Sequence, residues 1–225
     1  MNAAFFDMDG TLIDSRADLA ATVNHTRTDL GMEAIAQDEI LSHVGQGAKH
    51  LLEMSILKRA GETPPAAVAS KTPDDLFAIF MTHYAEHMIE AVTLYPGVAR
   101  TLAELHDRGW LLGINTAKPA FATHAILERF GLQRYFGNAV IAGGDCAEMK
   151  PSALPLRECA ARMRGHRLSS HDWMVGDNWT DVQCGANAGI KTAFCTFGFG
   201  ILKDSRYTIK INRFEELLRY LKPED

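Results

Sequence analysis

Asp7 and Asp9 stand two residues apart in the stretch AAFFDMDGTLIDS, directly after an apolar run. A buried strand ending there would carry the Asp7 carboxylate at its tip. Asp9, two positions on, would reach the same crevice, and Gly10 would let backbone approach a ligand closely. Further along, Thr116 lies in GINTAKP, Lys150 in AEMKP, and Asp177 and Asp181 in VGDNWTDV. Each of these motifs follows a run that reads as a strand. Several carboxylates in one crevice repel each other at neutral pH, and a hard divalent cation such as Mg²⁺ removes that cost in an oxygen-rich site. A Lys and a hydroxyl beside the ion suit a phosphate group, the Lys as a point charge and the Thr and backbone N–H groups as donors. One carboxylate can then attack phosphorus. The other can give a proton to the leaving alkoxide and later take one from water, so that an aspartyl-phosphate splits one hard step into two easier ones.

The elements that must position these residues follow from periodicity. Residues 3–6 read as a short buried strand. From Arg16 to about Ala91 apolar residues recur at three- and four-residue spacing, broken by Gly31, Gly61 and Pro64-Pro65, so this block is expected to be all helix. Leu76, Phe77, Phe80, Tyr84 and Met88 form one such stripe, and Phe77, Phe80 and Tyr84 are expected in the core of the block. After Tyr95 the pattern alternates: helix 98–108, strand 110–115, helix 120–130, strand 139–142, helix 153–163, strand 173–175, helix 181–188 and strand 191–195. A last strand at 207–211 and a helix at 214–221 close it. Alternation of this kind predicts an α/β fold, a parallel sheet with helices on both faces, and in such sheets ligands bind beyond the carboxyl ends of the strands. The first strand has no helical partner nearby in sequence. It is expected to join the later sheet, giving a core of residues 1–15 and 93–225 with residues 16–92 inserted as a helical domain.

The 225 residues carry a formal net charge of −5, and 47% are hydrophobic, enough for one large core or a core with a smaller satellite. No apolar run approaches the roughly 20 residues of a membrane span, and MNAAFFDMDG lacks the basic and apolar regions of a signal peptide. Cys146, Cys159, Cys184 and Cys195 show no C-x-x-C spacing and read as reduced thiols. These features predict a cytoplasmic protein, and the acidic balance speaks against a nucleic-acid partner. His83 and His87 have the i, i+4 spacing of metal ligands. Without H-E-x-x-H or an evident third ligand they read as a solvated helix face. Gly45 and Gly47 read as a helix break or as a loop that approaches substrate, and Asp181 as a residue able to cap its helix.

In order and spacing, D-x-D-G-T at residues 7–11, Thr116, Lys150 and G-D-x-x-x-D at 176–181 resemble the four motifs of the haloacid dehalogenase-like hydrolases. The likeness spans nearly the whole chain. An insertion directly after the first motif resembles the helical cap of the type-1 members, and DGTLIDSRADL, VGQGAKHLL, LYPGV and GGD resemble the phosphoglycolate phosphatase branch. The resemblance implies a Rossmann-like core with an α-helical cap, and a Mg²⁺-dependent phosphomonoesterase acting on a small phosphorylated metabolite as monomer or homodimer. Asp7 would be the nucleophile and Asp9 the acid/base. Gly10, Thr11, Thr116, Ala117 and Lys150 would hold the phosphoryl group. Asp7, Asp177 and the backbone carbonyl of Asp9 would ligate the metal, with Asp181 supporting it. Arg16 and Lys49 would meet a substrate carboxylate.

The chain departs from the family at several points. The usual T-N-K is Thr116-Ala117-Lys118, which leaves phosphate contact there to the Ala117 N–H. The usual K-P-x-P is Lys150-Pro151-Ser152-Ala153. Asn178 and Trp179 follow Asp177 where Ser is common, and GFGILKDSRYTIKINRF carries more charge than the branch does. Rival readings are a phosphosugar mutase, a haloacid dehalogenase, a phosphonate hydrolase, and a non-catalytic binding protein on the same fold. Leu19 stands where such mutases tend to carry a His, Asp9 is superfluous for a dehalogenase, and nothing singles out Lys49 or Lys58 as the Schiff-base Lys of a phosphonate hydrolase.

Overall fold

A computed structural model describes residues 1–59, 61–203 and 206–222; Asp204 and Ser205 of the charged C-terminal segment lie outside them. The chain forms two compact units, Met1–Asp14 with Thr93–Asp225, and Ser15–Val92. It starts with strand β1 (Ala3–Phe6), whose four residues are fully buried, and the two-residue strand β2 (Ile13–Asp14).

The second unit is helical: α1 (Arg16–Asp29), α2 (Gln37–Leu41), α3 (Ala48–Leu52), a π-helical turn (Glu53–Leu57), α4 (Ala66–Ala69) and α5 (Pro73–His87). Sequence explains where α5 begins. Thr72 and Asp75 form a reciprocal capping box, and Pro73 occupies a first-turn position where its missing N–H costs nothing. Leu76, Phe80 and Tyr84 are buried, but Phe77 is only half-buried and lies under the Lys49 ammonium, 5.3 Å from its ring centroid. The expectation of a core position for Phe77 is thereby corrected: three-residue spacing carries it to the edge of the stripe. A polar residue anchors this unit's interior. Fully buried Arg27 donates to the carbonyls of Glu33 and Ser55, both at 2.6 Å, and to both oxygens of Glu62 at 2.7 and 2.9 Å. Residues 45–47 interrupt the helices between α2 and α3. The reading of His83 and His87 as a solvated face is also corrected. Their side chains are only 13% and 15% exposed, because α5 packs on α1 along that side.

The chain returns through β3 (Thr93–Leu94), which pairs antiparallel with β2, and α6 (Val98–Asp107). There follow β4 (Leu111–Pro119), α7 (Ala120–Arg129), α8 (Gln133–Phe136), β5 (Val140–Gly143), α9 (Leu154–Arg162), β6 (Trp173–Gly176), α10 (Trp179–Ala188), β7 (Lys191–Cys195), β8 (Ile209–Ile211) and a 3-10 helix (Phe214–Arg219). Six strands make one sheet of order β5-β4-β1-β6-β7-β8, parallel at every pairing. β1 lies between β4 and β6, where the winding reverses. Side chains alternate across it: Ala3 and Phe5 join Leu156 and Cys159 of α9 and Met163 just beyond it, while Phe6 packs against Phe136 and Phe214 on the other face. This is the α/β architecture the alternation predicts. β4 is longer than expected because its pairing with β5 resumes after an irregularity, at Pro119 with Gly143, so Thr116, Ala117 and Lys118 belong to an extended segment. No helix among the described residues is long and apolar enough to cross a membrane.

Candidate active site

Asp7 immediately follows β1 and is held there by donating its N–H to the Val175 carbonyl of β6 at 3.0 Å. The chain then turns sharply. The Met8 carbonyl accepts from the amides of Thr11, Leu12 and Ile13 at 2.9–3.1 Å. Gly10 has φ +76°, and a Cβ there would overlap the Asp177 carboxylate. Only glycine meets both conditions. Thr11 is fully enclosed within this turn, and among the described residues its hydroxyl has no hydrogen-bond partner.

Asp177 follows β6, and its Oδ2 accepts from the amides of Phe199 and Gly200 at 2.9 and 2.7 Å. Lys150, in the connection from β5 to α9, donates from Nζ to Asp7 Oδ1 at 2.9 Å and to Asp181 Oδ1 at 2.6 Å. Asp181 lies in the first turn of α10. Its Oδ2 accepts from the Asn178 N–H at 3.0 Å, and the Asn178 side chain caps the helix in return. The cap is therefore Asn178, and Asp181 is the reciprocal member of the box; the helix starts two residues before the expected Asp181 because Asn178 is itself a strong cap. Asp9 goes elsewhere, accepting from Lys118 Nζ at 3.0 Å. Thr116, Ala117 and Lys150 line one small cleft, and the Thr116 hydroxyl accepts from the Lys118 N–H at 3.2 Å. Trp179 lies beneath Lys203, whose Nζ is 4.0 Å from the indole ring. Arg16 and Lys49 are exposed residues of the helical unit.

The structure thus brings together Asp7, Lys150, Asp177 and Asp181, with ligand oxygens of the three carboxylates within 4.8 Å of one another. Burial alone would push the Lys150 ammonium down, but the charges of Asp181 and Asp7 outweigh it and hold the group above its ordinary value. Burial pushes the Asp177 carboxyl well above the usual range, with Asp181 and Asp7 adding to it and the Gly200 and Phe199 amides opposing. Asp181 is raised by burial too, against the pull of Lys150. Lys150 pairs with Asp7 and Asp181 and Lys118 with Asp9, while Asp177 is raised by the charges of Asp181 and Asp7. An all-oxygen, buried donor set short of positive charge fits a hard divalent cation. Lys118 is the partner that residue types alone did not reveal. It is the third residue of Thr116-Ala117-Lys118, and only the strand pairing of β4 with β1 brings it to Asp9. The Phe199 and Gly200 amides were likewise invisible, since backbone donors leave no mark in side-chain chemistry.

Residues 4–195 match the family described as haloacid dehalogenase-like hydrolase. A phosphoglycolate phosphatase of Agrobacterium fabrum (strain C58) is 34% identical over 196 residues, covering 87% of this chain and 81% of that one. Another, of Aquifex aeolicus (strain VF5), is 30% identical over 98% of this chain and 97% of its own. A crystal structure described as a predicted phosphoglycolate phosphatase from Haemophilus somnus 129pt has the same fold, with TM-score 0.85 at 23% identity over 97% of both chains.

Proposed function

Since the chain belongs to the haloacid dehalogenase-like hydrolases and is a phosphatase of that family, we propose that it is a cytoplasmic, Mg²⁺-dependent hydrolase of small phosphomonoesters with 2-phosphoglycolate as its substrate. The observation that carries this reading is the buried Asp7–Lys150–Asp181 chain with Asp177 alongside, at the carboxyl ends of β1 and β6. When bound, a hard divalent cation would be held by Asp7, Asp177 and the Asp9 backbone carbonyl, and would neutralise phosphoryl charge. Lys150 and the Thr116 hydroxyl, with the Ala117 N–H, orient the phosphoryl group. Asp7 Oδ attacks phosphorus as the ester P–O bond breaks, and Asp9 gives its proton to the departing alkoxide. Asp9 then takes a proton from water, which attacks the same phosphorus. The Asp7–phosphorus bond breaks, releasing inorganic phosphate and restoring the Asp7 carboxylate. Lys118 holds the Asp9 carboxylate in place between these transfers.

Phosphate release across 2-phosphoglycolate, sugar phosphates, nucleoside monophosphates and p-nitrophenyl phosphate, with and without EDTA, tests the proposal. A preference for 2-phosphoglycolate with kcat/KM above roughly 10⁴ M⁻¹s⁻¹ supports it. Asp7→Asn is expected to lower turnover by at least about 10³-fold; near-wild-type turnover in that variant would remove Asp7 as nucleophile. We assign substrate carboxylate recognition to Arg16 and Lys49. Their Ala variants are expected to raise KM for 2-phosphoglycolate more than for p-nitrophenyl phosphate, and equal effects on both would reject that assignment.

A further inference from the structure

In α5 the sequence reads His83-Tyr84-Ala85-Glu86-His87, so that His83, Glu86 and His87 fall on one helix face at i, i+3 and i+4. One ligand atom from each lies within 4.8 Å of the other two. The neighbouring elements hold the rings. Asp29, at the end of α1, is 2.8 Å from His83 Nε2, and Glu90 is 3.0 Å from His87 Nδ1. The ring of His25, from α1, stacks on that of His87 with centroids 4.3 Å apart and planes at 19°.

We propose that His83, Glu86 and His87 form a binding site for a transition-metal dication of the Zn²⁺ class, unrelated to the carboxylate site of the phosphatase chemistry. When His83 donates its Nε2–H to Asp29, the tautomer is fixed and the Nδ1 lone pair is left to a ligand. That Nδ1 is buried and among the described residues has no hydrogen-bond partner, yet the Glu86 carboxylate stands 3.4 Å from it. At that distance a metal ion can bridge the imidazole nitrogen and the carboxylate oxygen, in the place a proton on Nδ1 would otherwise take. Glu90 plays the part of Asp29 for His87, taking the Nδ1–H and freeing Nε2 for coordination. Two imidazole nitrogens and one carboxylate oxygen suit Zn²⁺, Co²⁺ or Ni²⁺, whereas Mg²⁺ prefers oxygen alone. The remaining coordination positions are filled by water. Because Asp29 belongs to α1 and the ligands to α5, an ion bound there ties the two longest helices of this unit and raises its stability by mass action.

The test is titration of the full chain with Zn²⁺ by calorimetry, and with Co²⁺ by visible absorption, in saturating Mg²⁺ so that the carboxylate site does not report. The wild type is expected to bind one equivalent and to melt at higher temperature with Zn²⁺. His87→Ala is expected to lose at least about 100-fold in affinity and Asp29→Asn about 10-fold. Glu86→Gln, a surface substitution that keeps shape, guards against misfolding and should also weaken binding, while hydrolysis of p-nitrophenyl phosphate stays unchanged. Two results would overturn the site: a wild type that binds no Zn²⁺ once Mg²⁺ is saturating, as a cluster joined by protons alone would do, or an equivalent that survives both His87→Ala and Glu86→Gln.

Discussion

Lys150 is the counter-charge on which Asp7 and Asp181 both depend, and removing it tests the electrostatics apart from the chemistry. Lys150→Met leaves two buried carboxylates facing each other beside Asp177. In EDTA at neutral pH the variant is expected to lose about 3–5 kcal/mol of stability, as when one partner of a buried pair is removed. The Asp181 and Asp177 carboxyls are already raised by burial, and without Lys150 Asp181 binds its proton still more tightly in the folded chain than in the unfolded one, so the deficit grows as pH rises and shrinks towards pH 5. Urea midpoints across that range read it, and an unshifted midpoint would deny Lys150 this role. At this scale much was legible: Asp7 and Asp177 stand at the ends of apolar runs and Lys150 and Asp181 a few residues beyond one, and such positions meet at one edge of a parallel sheet. The Lys118–Asp9 pair was not legible, because a Lys in an extended segment looks the same whether it faces solvent or a carboxylate across the sheet. Nor was the enclosure of Thr11, which depends on how the turn after Asp9 folds back on Met8.

Among the elements, β4 and β5 govern how closely Thr116 and Ala117 approach Lys150. Their pairing shifts after Asn115 and resumes at Pro119 opposite Gly143. A Cβ on Gly143 would come 2.5 Å from the Ala117 carbonyl oxygen and 3.1 Å from the Lys118 oxygen, both backbone atoms. Gly143→Ala must therefore push the Thr116–Lys118 segment away, at about 1–3 kcal/mol of stability as for other overpacked sites. KM for any phosphate ester is expected to rise about tenfold, since every substrate shares the phosphoryl group; this also follows from the uniform loss of ground-state and transition-state binding. Steady-state kinetics on two unrelated esters check it, and a change confined to one of them would place the effect outside phosphate binding. Element types were readable from periodicity, whereas their ends were set by contacts. β4 outran its apolar pattern through partners on β5, α10 began at Asn178 through its cap, and the final helix tightened to 3-10.

The molecule as a whole divides into a parallel-sheet unit and a helical unit with separate cores. Arg27 is the buried fastener of the second: replacing it by Leu orphans the Ser55 and Glu33 carbonyls and leaves the Glu62 carboxylate to Arg59, 3.4 Å away. Arg27→Leu is expected to weaken this unit by about 3–5 kcal/mol. Hydrogen exchange followed by mass spectrometry should then show protection lost through residues 16–92 while β1, β4 and β6 keep theirs; equal loss in both units would mean that they unfold as one. The position of the insertion was legible because a lone strand followed by an all-helical stretch cannot complete a sheet by itself. The strand order was not, since pairing of β1 with both β4 and β6 links segments that carry no mutual signal in one sequence. That order has a consequence for synthesis. β1 leaves the ribosome before its neighbours, which begin at Leu111 and Trp173, so at about 5–20 residues per second it waits on the order of ten to thirty seconds for its second flank. The helical unit, contiguous in the chain, is complete long before. The strand that delivers Asp7 is thus the earliest made and among the last seated, and until then its apolar residues are what a chaperone would meet.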